Sequence, residues 1–450
     1  MRHVGPGARA VAGLSGLVLV ALSVAACTTR DEPQADPPAA EPARSPTPSA
    51  TSRAAPHDQP LVVAVHHGSR LRDIPLPRAR RIVADGADGD GAFIVVPASA
   101  LGPTMRALSV DGVDPVRSPE EYPLRTRAVR PRDPVLTVTV VGDIMLGRGV
   151  AEAARGSDHP APALRPTASR LAGADVTVGN LENTLSRAGA PTQGGDSFAA
   201  DPAVVEGLRE AGFDVLGLAN NHLGDFGDRA LVQTVRRLRA GGIDTFGAGA
   251  TVRRAWQPAV VERQGVRFGF LGFNAIGETP AVAPGQPGAV SVGMPPRTGP
   301  LDQAALRRFE DAVRRLDDRV DVVVVMPHWG TQYTHRPEPI QSRVARRLVR
   351  AGADVVVGGH PHWVQGMEMV GRGLVVHSLG NFVFDMDFMR ETQEGAILEL
   401  TFWGGRLKAV ELVPYVMDER FAPRIVSGRR AEQVLAPMRA TSGPAFRSRR

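Results

Sequence analysis

The residues able to do chemistry sit in five polar clusters, each just beyond an apolar, β-branched run. The central cluster is Ala219-Asn220-Asn221-His222-Leu223-Gly224-Asp225-Phe226-Gly227, which follows the apolar residues 213–218. Two more are Gly142-Asp143-Ile144-Met145-Leu146-Gly147-Arg148 after residues 135–141, and Asn180-Leu181-Glu182-Asn183 after 176–179. The last two are His328-Trp329-Gly330 after 322–327, and Gly359-His360-Pro361-His362 after 355–358. A polar cluster at the C-terminal end of a strand is where open α/β sheets place their ligands. One Asn-Asn-His taken alone is equally a polar turn with helix-capping residues. Five in one chain are hard to read as capping. Together they supply the carboxylates of Asp143 and Glu182, the Asn221 amide, and His222, His328, His360 and His362. That is the inventory of a two-metal centre, with neutral oxygen and imidazole ligands beside the charged ones. A His-x-His word leaving a strand projects both rings to one side. Asp225, three residues after His222, is placed to accept the other ring N–H and fix the tautomer. Arg148 is placed to hold an anionic substrate group or to pair on the surface. His335, His377 and the His66-His67 pair read as structural or exposed.

These residues need elements to position them. From residue 135 onward, strands alternate with helical patterns at 202–211, 228–240, 301–316 and 339–351. That alternation predicts an α/β architecture of parallel strands covered by helices. Glu210-Ala211-Gly212 and Arg350-Ala351-Gly352 each end a helix on glycine before a strand. Residues 133–417 are enough for one sizeable core. The Gly/Pro-rich residues 277–300 form a loop expected to overhang the site. Residues 418–450 read as a basic tail of little order. Upstream, residues 59–132 read as a small α/β module, with strands at 61–65 and 92–96 and a helix at 77–84. Residues 28–58 are a Pro/Ala-rich disordered linker with no apolar periodicity. Residues 1–27 have a positive start and an apolar stretch ending in Leu22-Ser23-Val24-Ala25-Ala26-Cys27, a lipoprotein signal peptide with lipidation at Cys27. Cys27 is the only cysteine, so no intramolecular disulfide and no multi-Cys metal site can form.

The words GDIMLGR, NLENTLS, LANNHLGDFG, HWGTQY, GGHPHWVQG and HSLGNFVFD, in this order over about residues 135–415, resemble the CapA/PgsA-type capsule and poly-γ-glutamate synthesis family. That family is a branch of the calcineurin-like metallophosphoesterase superfamily. The resemblance implies a four-layer α/β sandwich of two packed sheets with metals at the strand ends. It implies divalent ions, Mn, Fe or Zn, one or two of them. Asp143, Glu182 and His362 would serve the first site, and Glu182 would bridge. Asn221, His328 and His360 would serve the second, with His222 as proton donor. The superfamily's D-x-H word is Asp143-Ile144-Met145 here, and a thioether is a poor ligand for hard divalent ions. A mononuclear enzyme, or one that has left phosphoester hydrolysis, is therefore open. Residues 59–132 weakly resemble parts of phosphate-type solute-binding proteins, as a fragment with a packing or presentation role.

The net charge of +6 and pI near 10.4 rest almost wholly on arginine, with Lys408 the only lysine. A basic surface favours anionic polymers or lipid head groups. Nucleic acid is not expected, with 5% aromatic residues and no stacking platform. The expected protein is extracytoplasmic, anchored to the cell membrane as a lipoprotein, and works on an anionic extracellular polymer or a phosphoester. A membrane complex with a polymer synthase is an expected partner. Two other readings are a general extracytoplasmic phosphoesterase and a non-catalytic polymer-binding protein on the same fold.

Overall fold

The computed structural model describes residues 57–85, 92–128 and 133–447. The signal peptide, Cys27 and nearly all of the 28–58 linker lie outside the described residues.

Two mixed sheets form the body of the molecule. In the first, the Val135–Ile144 strand is central. On one side it pairs in parallel with Val176–Leu181, followed by Val215–Gly217 and Asp244–Phe246. On the other side the order is Glu394–Trp403, Arg406–Met417 and Pro423–Ile425, all antiparallel steps. The short Asn381–Val383 strand also runs parallel to the far end of the central one. The second sheet has four parallel strands, Val266–Asn274, Val322–His328, Val355–Val357 and Gly373–Leu379. Antiparallel Ala259–Arg263 and Val364–Val370 close its edges.

Period-two alternation decides how these sheets pack. Leu136, Val138 and Val140 of the first sheet and Val322, Val324, Val355 and Val357 of the second belong to one buried cluster between the sheets. Val323, Val325 and Val356 face the other way, against Leu306, Phe309, Val313, Val344 and Leu348. Those five come from the helices Gln303–Asp317 and Pro339–Arg350. The outer face of the first sheet is covered by Leu171, Leu208, Leu231 and Leu238 of its own helices. The result is helix, sheet, sheet, helix: the four-layer α/β sandwich. Each fully buried Val or Leu contributes about 1.5–3 kcal/mol, which is why near-continuous valine runs make the parallel strands.

Helix starts are chemically defined. Asp302 accepts from the backbone N–H groups of Ala304 and Ala305. Glu338 and Gln341 make a reciprocal capping box with Pro339 at the first helical position.

Residues 57–128 build a four-stranded antiparallel sheet around His57–His66, with the Leu76–Asp85 helix on one face. Val63 and Val65 pack with Ala79 and Ile82 of that helix. Val62 and Ala64 point the other way, into a cluster that Trp403 and Ala409 of the main body join. Polar contacts follow the same seam. His67 Nε2 donates to the Val410 carbonyl (3.0 Å), Trp403 Nε1 to Val116 O (3.0 Å), and Lys408 Nζ to Ser99 O (2.7 Å). Arg117 pairs with the buried Glu399, which Arg170 also meets. These residues and the main body form one compact unit, 54–450.

The basic stretch beyond residue 417 differs from the expectation of little order. It carries the Pro423–Ile425 strand and a Gly428–Thr441 helix whose Val434, Leu435 and Met438 are buried. The apolar positions are sparse among arginines, so the helical stripe was masked by charge. Among the described residues, no helix is long and apolar enough to cross a membrane.

Candidate metal centre

The parallel strands of both sheets end at one place. There the Val135–Ile144 strand delivers Asp143, Val176–Leu181 delivers Asn180 with Glu182 next, and Val215–Gly217 leads to Asn220, Asn221 and His222. From the second sheet come His328, the last residue of its strand, and His360 and His362 just after Val355–Val357. All nine are buried. A register shift between Val140 and Asp143 sets this up. The bulge re-aims the strand end, a device common beside active sites. Glycine lets the two sheets close on it: a Cβ on Gly359 would lie 2.5 Å from Asp143 Oδ1.

The carboxylates are held by amides. Asp143 accepts from Asn180 Nδ2 (2.8 Å) and from the backbone N–H of His360 (3.0 Å). Asn180 is itself fixed by Asn220 Nδ2, 2.9 Å from its Oδ1. Glu182 Oε1 lies 3.4 Å from His328 Nε2 and 3.9 Å from His222 Nε2. His328 Nε2 faces Asn221 Oδ1 at 2.9 Å. His362 Nδ1 donates to Asn381 Oδ1 (2.7 Å), which leaves Nε2 with its lone pair. Among the described residues, five of the eight non-glycine residues at positive φ border this place: Arg148, Glu278, Tyr333, His360 (φ 93°) and His362 (φ 59°). Such backbone costs about 1–3 kcal/mol per residue and clusters at functional sites.

Three buried atoms here have no hydrogen-bond partner: Glu182 Oε1, His360 Nδ1 and His362 Nε2. Ligand atoms of these same three residues lie within 4.8 Å of one another, and so do those of Asp143, Glu182 and His328. Glu182 is common to both groups. The grouping puts His360 with His362 and His328 with Asp143, whereas the resemblance would divide His360 and His362 between two sites. Unpartnered buried polar atoms are costly, and carboxylate and imidazole donors are the kind a divalent cation satisfies. The donor set therefore fits a divalent metal. Met145 takes no part: it is buried in the helix-side core and its sulfur accepts from Gly147 N–H.

Electrostatics agree. Burial, then the charge of Glu182, pushes the Asp143 carboxyl up to about 7. Burial, with the charges of Asp225 and Glu278 behind it, pushes Glu182 up to about 8. Burial pushes His328 down to about 4 and His362 down to about 3, and takes His360 well below the usual imidazole range. The imidazoles are thus neutral, the form that ligates, and a cation beside the two carboxylates would favour their charged form. His222 goes the other way. Burial alone would lower it, but the hydrogen bond to Asp225 and the charges of Glu182 and Asp225 together raise it.

The remaining expected residues are also located. Asp225 is fully buried and accepts from His222 Nδ1 (2.9 Å), Phe198 N–H (2.7 Å) and Gln193 Nε2 (2.5 Å). Arg148 is engaged by Asp385 through Nε (3.0 Å) and Nη2 (2.5 Å). Its guanidinium lies 4.3 Å from the centroid of Phe198, which stacks on His222 at 3.9 Å. His335, His377 and His67 make hydrogen bonds to backbone or side-chain oxygens away from the ligand cluster.

Sequence reasoning assigned no role to Asn180, Asn381, Asp385, Tyr333 or Glu278. The first four stand inside the quoted words NLENTLS, HSLGNFVFD and HWGTQY, which was the available signal. Glu278 had none beyond its place in the 277–300 loop. It donates nothing but accepts from Asn221 Nδ2 (2.7 Å) and Arg297 Nη2 (2.7 Å), so that loop does reach the site.

The profile of the family described as bacterial capsule synthesis protein PGA_cap matches residues 137–386, more than half of the chain. The capsule biosynthesis protein CapA of Bacillus anthracis is 33% identical over 306 residues, covering 66% of this chain and 72% of that protein. The PGA biosynthesis protein CapA of Bacillus subtilis is 30% identical over 273 residues, 59% of this chain and 68% of that one. A probable polyglutamine synthesis accessory protein of Mycobacterium tuberculosis is 28% identical, over 56% of this chain and 75% of its own. Every residue of the buried ligand cluster falls inside the matched stretch, and the chain belongs to the bacterial capsule synthesis protein family, within the metallophosphoesterase-like superfamily.

Proposed function

We propose that this protein is a divalent-metal-dependent hydrolase or transferase in the synthesis of a capsule or poly-γ-glutamate-type polymer. It works outside the cytoplasmic membrane, held there by acylation at Cys27. The observation that carries the reading is the convergence of ligand atoms of Glu182, His360 and His362, three buried residues each with a polar atom that has no hydrogen-bond partner, at the joined strand ends. Asp143, Glu182, Asn221, His328, His360 and His362 would hold Mn, Fe or Zn. When bound, such ions supply Lewis-acid polarisation of a phosphoryl or acyl oxygen. The chain's own residues supply the rest. His222 holds a proton on a ring oriented by Asp225 and stacked on Phe198, and gives it to the leaving group. Tyr333 is half-buried and its ring stacks beside His362. The arginine-rich surface favours an anionic polymer, and relatives named for capsule and PGA biosynthesis support that substrate class. A synthase complex in the membrane is the partner this role calls for.

The test uses the full-length protein supplied with Mn²⁺, with poly-γ-glutamate and a generic phosphodiester as substrates, beside Asn221→Ala. Cleavage or transfer of the polymer, lost in the variant, is expected. Turnover of the phosphodiester alone would move the assignment to a general phosphoesterase. Polymer binding with no turnover of either would replace catalysis by a binding role.

A further inference from the structure

A ligating amide has to present its oxygen, and Asn221 is the amide of the ligand set. Its two ends have unlike neighbours. Oδ1 faces His328 Nε2 at 2.9 Å, inside the ligand cluster. Nδ2 points to Glu278 Oε2 at 2.7 Å. Were the amide reversed, its oxygen would face a carboxylate and its NH₂ would face the ligand cluster. A carboxylate accepts and cannot donate while ionised, so only one orientation survives. Glu278 cannot turn away easily. Its other oxygen is tied to Arg297 Nη2 at 2.7 Å, and its backbone sits at φ 64°. Glycine precedes it at positive φ as well, and the next residue, Thr279, takes the backbone N–H of Gly224 on its hydroxyl (2.8 Å). The loop is therefore pinned to the cluster that carries Asn221 at Glu278 itself and at the residue after it.

We infer that Glu278 is a positioning residue: it holds the Asn221 amide with its oxygen toward the metal centre, and Arg297 holds Glu278 in place. The inference rests on the metal-centre reading given above. It makes the 277–300 loop part of what orients the ligands, reaching the centre through the Asn221 amide. Partners that orient ligands typically cost about 10–100-fold in metal affinity when removed.

Mn²⁺ affinity of the full-length protein is measured by calorimetric titration, with folding checked by circular dichroism. The set is wild type, Glu278→Ala, Glu278→Gln, Asn221→Ala and the Asn221→Ala/Glu278→Ala double variant. Glu278→Ala should weaken Mn²⁺ about 10–100-fold, and Glu278→Gln, which keeps an acceptor but loses the charge, should fall between it and wild type. In the Asn221→Ala background, removing Glu278 should change nothing further, because its effect passes through that amide. Independent, additive losses would overturn the positioning role, as would wild-type affinity in Glu278→Ala. Absence of Mn²⁺ binding by wild type would overturn the metal reading itself, and this inference with it.

Discussion

In metal-free protein, raising the pH from about 6.5 to 8 should lower stability, and Glu182→Gln should remove most of that loss. The sign follows from linkage. Glu182 has an ordinary value of 4.5 and is pushed up to about 8 in the fold, first by burial. Below 4.5 both folded and unfolded states hold the proton. Above it the unfolded state ionises and the folded state does not, so stability falls until the folded carboxyl ionises near 8. Asp143, raised to about 7, adds in the same direction over the lower part of the range, and so does His222 with its raised value. The buried histidines act oppositely but elsewhere. His328 and His362, lowered to about 4 and about 3, penalise the fold in acid, and that penalty is gone above about pH 6.5. The window from 6.5 to 8 therefore excludes the lowered histidines and reads the carboxylates together with His222. One and a half pH decades at 1.36 kcal/mol each is roughly 2 kcal/mol for one group. Urea denaturation in chelator at the two pH values reads it directly. Glu182→Gln, the same shape without the charge, should fall by much less across the window, keeping only the part that Asp143 and His222 contribute. Mn²⁺ should restore the wild type at pH 8 and leave the variant unmoved, because the cation replaces the proton. Equal stability of chelated wild type at both pH values, or an equal slope in Glu182→Gln, would refute the electrostatic reasoning.

Gly359→Ala should weaken Mn²⁺ by about 10–100-fold with the fold retained, since its Cβ would meet Asp143 Oδ1 at 2.5 Å; unchanged affinity in a calorimetric titration would show that the carboxylate has room to move. Asp225→Asn should lower the His222 titration followed by NMR, because the charge and the charge-assisted bond that raise it are both lost; a midpoint that stays put would remove Asp225 as the orienting group. Glu399→Ala leaves Arg117 and Arg170 facing each other without their shared carboxylate, and should cost about 1–3 kcal/mol in urea denaturation, the cost of a broken, partly exposed pair. A loss within error would mean that the apolar contacts around Val62, Ala64 and Trp403 and the seam's hydrogen bonds hold residues 57–128 to the body without this ion pair.

Much of this was legible in the chain because the signals are local. Valine runs such as 322–325 and 355–357 announce buried parallel strands, and the polar word after each announces a strand end. Which of these ends meet is not local: Asp143 and His360 are joined by a hydrogen bond across 217 residues, and only the resemblance to a family implied it. Glu278 was silent for a related reason. Its value depends on an amide 57 residues away and on a strained loop conformation that composition does not encode. Arg148 shows the reverse problem. A conspicuous arginine beside an expected site invites a substrate role, yet Asp385 from a distant strand end already takes its guanidinium. The Gly428–Thr441 helix was hidden because its buried Val434, Leu435 and Met438 are few among arginines and Pro437 interrupts them.

The central claim is that the buried Asp143, Glu182, Asn221, His328, His360 and His362 cluster holds divalent metal. Elemental analysis of the purified full-length protein, after incubation with Mn, Fe or Zn and desalting, tests it most directly, with His360→Ala measured alongside. One or two equivalents in wild type, reduced in His360→Ala while the fold persists, is the predicted result. Folded wild type that retains none of the three metals, at a pH above 8 where both carboxylates are ionised, would contradict it.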